Sequence, residues 1–212
     1  DLPKLIEGYE VANTVASNAK EVAHTIREYR LPREAVPTQY LSDVRVQEAL
    51  LEEMPVTAMI RNLGNMSKSG LLVPRSDAVA YVCSRLTDEQ LLLRGRVHPF
   101  NVLVAMLTYA SGRGLRGQGE WRPVTEIVDA LDAAFYSCFG NVEPLGTTAL
   151  IALDTSGSMQ YPDLMGVPGL SPARAQAAMA LILVASNPPG TVETIGFDTE
   201  LTMFSLSPRQ RL

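Results

Sequence analysis

The chain has 212 residues, 46% of them apolar and 19% charged, with 18 Lys and Arg against 23 Asp and Glu for a formal net charge of −5. Such a length suits one or two domains, and such a balance excludes wholesale disorder, which needs low hydrophobicity together with high charge. Read as a sum, the acidic total argues against a nucleic-acid binder, although binding depends on local charge.

From residue 1 to about 143 the apolar spacing is helical. Ser17 is placed to cap a helix over 18–29, with Val22, Ala23, Ile26 and Tyr29 on one face. Ser42 caps the next, which leads Val46, Leu50 and Leu51 into Met54. Pro55 suits the first turn of a further helix carrying Met59, Ile60 and Leu63, and Gly64 is placed to end it. Ser76 and Thr87 are expected to cap helices over 77–86 and 88–95. Pro99 opens an almost wholly apolar, buried helix over 100–110, which ends in the turn Gly112-Arg113-Gly114. Pro123 opens the last of this series, over 124–139. About seven short helices joined by short turns form a helical array.

The pattern changes near residue 145, and the boundary falls around 143–146. Thr148 to Leu153 is a short apolar run that reads as a buried strand of a parallel sheet. A Pro- and Gly-rich loop spans 160–172. An apolar helix follows over 173–186, then strands over 192–197 and 201–206, in βαβ order. The expected domains are therefore 1–145, a helical-repeat region, and 146–212, a partial α/β region too small to cover both faces of a parallel sheet. With no initiator Met at Asp1, this predicts a piece of a longer protein. No apolar run reaches the length of a membrane span, and no signal peptide is visible. Cys83 and Cys138 sit in amphipathic helical patterns, which predicts two reduced, buried thiols in a cytoplasmic protein. Met54, Met59, Met66 and Met106 occupy apolar positions and read as core.

Charge is unevenly spread. Residues 54–122 hold 9 basic and 4 acidic residues, whereas residues 1–53 hold 6 and 10, 123–145 hold none and 4, and 146–212 hold 3 and 5. A basic middle is hidden inside the acidic total. It reads either as clustering on a solvated helical surface or as an anion-binding face.

The most specific chemistry is Asp154-Thr155-Ser156-Gly157-Ser158, directly after an apolar strand. Ligands of open α/β sheets bind outside the carboxyl ends of the strands. A carboxylate and two hydroxyls at alternate positions there can point into one crevice. Asp154, Ser156 and Ser158 are candidate ligands for Mg²⁺ or another hard divalent cation. The bland alternative is an Asp/Ser turn that caps the strand. Asp198, after the strand over 192–197, is another acidic residue near this sheet that could face the site, but it reads more as a hairpin-turn residue. The motif resembles the metal-ion-dependent adhesion site of von Willebrand factor A domains. That resemblance implies a Thr and an Asp from later loops, which this chain does not reach, so the site is expected to be incomplete.

The helical half carries a second resemblance. Met54 to Met66 (MPVTAMIRNLGNM), Arg96-Val97-His98-Pro99-Phe100, Thr108-Tyr109 through Gly112 to Gly117, Trp121-Arg122-Pro123 and Ala130 to Tyr136 followed by Val142-Glu143-Pro144 are similar to signature stretches of the Ro autoantigen family, the TROVE module. The resemblance covers about residues 25–204 and looks bacterial. It implies HEAT-like helical repeats closed by a von Willebrand A domain. It also implies binding of small non-coding Y RNA and of the ends of misfolded or partly processed RNA, in RNA turnover alongside an exoribonuclease.

Candidate RNA contacts are Arg61 in the signature helix, and Lys68, Arg113 and Arg116 in Gly/Ser-rich turns, where basic groups can meet phosphate. Each reads equally as a solvent-facing or capping cation, and Arg61 could also pair with a carboxylate inside the helical array. His98 reads as a packed or capping histidine more than as an RNA contact, and Tyr109 and Trp121 as core aromatics more than as stacking surfaces. No catalytic set is evident: there are two histidines, no phosphate loop, and Glu52-Glu53 reads as solvated, so an enzyme is not expected. The alternative to RNA binding is a protein-interaction module whose metal captures a partner's carboxylate.

Overall fold

A computed structural model describes residues 2–115 and 119–212. Its elements are α1 (Leu2–Glu10), running into a π-helical turn over Val11–Val15, then α2 (Ala19–Tyr29), α3 (Val44–Glu53), α4 (Val56–Lys68), α5 (Asp77–Leu86), α6 (Glu89–Arg94), α7 (Pro99–Ala110), α8 (Thr125–Ser137), β1 (Ala149–Asp154), α9 (Pro172–Ser186), β2 (Val192–Phe197) and β3 (Leu201–Phe204). The chain is thus mostly helical, with a small sheet near its C-terminus. Packing divides it into two compact units: Asp1–Arg85 with Gly112–Ile127, and Leu86–Ser111 with Val128–Leu212.

In the first unit α2, α3 and α4 supply the core, with Val22, Ile26, Val46, Leu50, Met59, Leu63 and Met66 buried. The helix starts lie one residue later than the sequence predicts. Asn18, not Ser17, caps α2, its carbonyl oxygen accepting from the N–H groups of Lys20 and Glu21. Ser17 instead donates its N–H and hydroxyl to the Glu21 carboxylate, so the two ends of the turn are tied reciprocally. Asp43, not Ser42, caps α3 by accepting from Arg45 N–H. Glu52 is not simply solvated: Arg27 reaches it at 2.7 Å, pinning α2 to α3. Gly64 does not end its helix, because α4 continues to Lys68. Ser76 caps α5 as expected, its hydroxyl accepting from Val79 N–H.

In the second unit Asp88, not Thr87, caps α6. His98 caps α7: its Nδ1 accepts from Phe100 N–H at 3.2 Å, with Pro99 in the first turn. The α7 helix is only partly buried; Val102, Leu103 and Tyr109 are enclosed and Asn101 is exposed. The predicted helix over 124–139 stops at Ser137 and tightens into a 3₁₀ turn, Cys138–Asn141. There the Asn141 amide donates to the carbonyls of Leu92 and Val97, at 3.2 and 2.9 Å. Phe135, Tyr136 and Phe139 meet edge to face around it.

The βαβ expectation holds. β1 and β2 run parallel, Ala149 opposite Val192 through Asp154 opposite Phe197, with α9 as the connection. β3 returns antiparallel to β2, which makes the sheet mixed. Ser171 caps α9, and Ala175, Ala178, Leu181 and Ile182 form its buried side. β1 is less buried than its sequence predicts. It alternates, with Leu153 buried and Leu150 60% exposed, and by register Leu150 shares a face with the exposed Leu201 and Met203 of β3. Apolar content alone does not distinguish a strand covered on both faces from one covered on one.

Cys138 is buried, but Cys83 is only partly so, and neither is in a disulfide. Met54, Met59 and Met66 are buried, while Met106 is partly exposed. Three turns hold an arginine in the left-handed backbone region: Arg30 at the end of α2, Arg75 before α5 and Arg96 after α6.

Candidate functional site

The basic candidates in the first unit gather around α4. Arg61 and Lys68 are seven residues apart, close to two helical turns, so they lie on one exposed face about 10 Å apart along the axis. That helix contains no acidic residue. Arg61 pairs with no carboxylate among the described residues, so its charge is not cancelled within the array. Between them the face carries Asn65, whose amide donates to the side-chain oxygen of Asn62 at 3.3 Å.

Gly64 explains why α4 runs on. A Cβ at this position would sit 2.7–3.0 Å from the benzo half of the Trp121 indole. The residue is glycine because the ring lies against the helix backbone, not because the helix stops. Trp121 closes a hairpin whose other arm begins at Gly112. Its N–H donates to the Gly112 carbonyl at 2.9 Å, and Arg113 pairs across the hairpin with Glu120 as an isolated β-bridge. Gly112 has φ +70°, and a side chain there would meet the Trp121 carbonyl at 2.8 Å. Trp121 therefore anchors the Arg113-bearing arm to α4, the helix that carries Arg61 and Lys68. Arg116 lies outside the described residues. Trp121 itself is partly exposed, whereas Tyr109 is a core residue, as its sequence context predicts.

The oxygen-rich motif lies in the second unit, where β1 ends. Asp154 Oδ1 accepts from Ser156 N–H at 2.9 Å, and the Ser156 and Ser158 hydroxyls are 3.0 Å apart. The Ser156 hydroxyl and backbone N–H hold the Asp154 carboxyl below its ordinary value, opposed by desolvation and by the charge of Asp198. Asp198 occupies the β2–β3 turn, as expected, where its carboxylate accepts from Glu200 N–H. The parallel register, with Asp154 opposite Phe197, is what brings the two carboxylates within electrostatic reach. Gln176 of α9 grips the backbone of Asp154 on both sides, its Oε1 accepting from the N–H and its Nε2 donating to the carbonyl. No sequence pattern singles out Gln176 for this site, because it is contributed by a separate element, whereas the sequence does offer Asp198 as an acidic residue able to face it.

All the converging donors are oxygens, and one is ionised. Nothing crowds Gly157, so the loop has room beside it. This donor set fits a hard divalent cation held partly by water. Among the described residues no cluster of three His, Cys, Asp or Glu exists that could hold a metal ion instead. No helix among them is long and apolar enough to cross a membrane.

A basic, acid-free helix face and a small mixed sheet whose first strand ends in an oxygen-rich loop define a mostly helical protein with a three-stranded sheet near its C-terminus. Residues 29–108 match the TROVE domain. The chain is 44% identical over 210 residues to the RNA-binding protein RO60 of Deinococcus radiodurans, covering 99% of this chain and 39% of that protein. It is 43% identical over 156 residues to the RNA-binding protein RO60 of Caenorhabditis elegans, covering 73% and 24%. The crystal structure of the Deinococcus radiodurans RO (RSR) protein superposes with a TM-score of 0.89 over 98% of this chain and 41% of that one. The chain spans about two fifths of that bacterial relative. It belongs to the Ro60 family of TROVE proteins.

Proposed function

We propose that this chain binds RNA. The observation that carries the reading is the α4 face, where Arg61 and Lys68 project from a helix without a single acidic residue and Trp121 docks the Arg113 hairpin beside them. Such a surface neutralises phosphates and releases counterions, which overcomes an unfavourable total charge because the interaction is local. The names of the two relatives support it. On this reading residues 1–145 belong to a HEAT-like TROVE array, and Arg61, Lys68, Arg113 and Arg116 meet the backbone of RNA. The ligands are small non-coding Y RNA and the single-stranded ends of misfolded or partly processed RNA. The setting is cytoplasmic RNA quality control, with an exoribonuclease as partner, and the chain itself performs no catalysis.

The test is binding of single-stranded RNA by the full-length protein across a salt series. Affinity should fall steeply with salt. Arg61→Ala with Lys68→Ala should weaken binding uniformly across sequences and reduce the salt slope by about two. Absent or salt-insensitive binding would defeat the reading.

A second reading rests on the loop after β1. Residues 146–212 are taken as the start of a von Willebrand A-type domain, with Asp154, Ser156 and Ser158 holding Mg²⁺ or a similar cation. A bound cation supplies a Lewis-acidic position for a partner's carboxylate. Asp154 contributes the charge, the two serines contribute neutral oxygens, and Gln176 fixes the strand end from which they project. Calorimetric titration of the full-length protein with Mg²⁺ should show binding that Asp154→Ala abolishes; an unchanged isotherm in that variant would refute the assignment.

A further inference from the structure

We infer that Trp121 is a base-stacking platform for single-stranded RNA, set beside the cationic row of α4; this rests on the RNA-binding reading above. Three observations lead to it. The indole lies against the backbone at Gly64, one turn after Arg61 and one turn before Lys68. Along the helix axis it therefore falls between the two cations. Trp121 as a residue is also only partly buried, unlike Met59, Leu63 and Met66, which are enclosed on the inner face of the same helix. Finally, two glycines are committed to holding it there. Gly64 leaves space for the ring, and Gly112, in the left-handed region, leaves space for the Trp121 carbonyl and receives its N–H.

Proteins that hold single strands combine a positive track for the backbone with aromatic faces on which bases stack, and this stacking tolerates sequence because every base has a π-face. Arg61 and Lys68 supply the track, and Trp121 supplies the face. Core packing alone would require neither the partial exposure of Trp121 nor the position of its ring at Gly64, between Arg61 and Lys68 along the helix.

The experiment compares Trp121→Leu, Trp121→Phe and Gly64→Ala with the unaltered full-length protein on a short single-stranded RNA and on the same strand carrying abasic nucleotides. Trp121→Leu should lose about tenfold in affinity for the base-containing strand. Trp121→Phe should retain most of the affinity. Gly64→Ala, which pushes the ring off α4, should behave like Trp121→Leu. On the abasic strand Trp121→Leu should lose far less, no more than loosening the Arg113 hairpin costs. Equal affinity of the unaltered protein for the two strands would overturn the platform, and needs no variant to fold. So would equal affinity of Trp121→Leu and the unaltered protein for the base-containing strand. In both cases salt-dependent binding would persist and the RNA-binding reading would stand. Failure of the unaltered protein to bind either strand removes both.

Discussion

The side chain of Gln176 hydrogen-bonds both backbone groups of Asp154, accepting from its N–H at 3.1 Å and donating to its carbonyl. An amide side chain thereby imitates a strand neighbour, and α9 is locked to the end of β1 at the residue from which the oxygen-rich loop departs. Gln176→Ala removes both bonds, and we expect it to cost about 1–2 kcal/mol. Gln176→Glu should be worse, because an ionised carboxylate offers only acceptors to a carbonyl that needs a donor. Thermal melts of the two variants check the order. If Glu proves equal to Gln, the two bonds do not hold the strand end.

Asn141 plays a related part at α6, donating to the Leu92 and Val97 carbonyls. Asn141→Ala should destabilise by about 1–2 kcal/mol, since the Val97 carbonyl loses this donor while the Leu92 carbonyl keeps the Val97 N–H. Asn141→Asp should exceed it by setting a carboxylate against both. Denaturant unfolding gives the comparison; an Asp variant as stable as the original would exclude this role.

Asp43 caps α3 and holds Arg45 through both carboxylate oxygens. Its carboxyl lies below the ordinary value, chiefly through the Arg45 side chain. A folded-state pKa below the unfolded one contributes stability that is present above the unfolded value of about 3.9 and lost as pH falls through the folded one. Asp43→Ala should therefore cost about 1 kcal/mol at pH 7. The gap between variant and original should narrow in melts below pH 4. A constant gap across that range would show that the charge of Asp43 does not matter.

The two thiols should separate chemically. Burial pushes the Cys138 thiol up to about 11, whereas Cys83 is partly exposed. At pH 8 roughly a thousandth of Cys138 is thiolate, the nucleophilic form. Timed alkylation of the native protein followed by mass spectrometry should label Cys83 first and leave Cys138 until unfolding. Prompt labelling of Cys138 would contradict its enclosure.

Much of this architecture is legible along the chain, because helix periodicity, caps and strand runs are local signals. The misplaced starts share one cause. Ser17-Asn18, Ser42-Asp43 and Thr87-Asp88 each pair two residues able to cap, and the second is used in every case. At Ser76-Asp77 the first is used. Side-chain type therefore does not choose between neighbours. The phase that turns the apolar face inward does, and that phase depends on packing. Gly64 misleads for a tertiary reason, since its reason for being glycine is a ring 57 positions further on. The Asp154, Ser156 and Ser158 oxygens are legible because they alternate within one loop. Gln176 is not, because only the α9 crossover brings it near, and Asp198 is legible as an acidic strand-end residue whose nearness to Asp154 the parallel register decides.

The left-handed arginines at positions 30, 75 and 96 bear on how far this chain could be hardened against heat. A residue with a Cβ pays roughly 1–2 kcal/mol in that conformation, which glycine adopts freely. Each turn thus holds back a margin of stability that one substitution would release, at the loss of one positive charge. In a chain that is acidic overall, all three positions keep their cations, so thermal robustness and surface potential are set against each other at the same three residues.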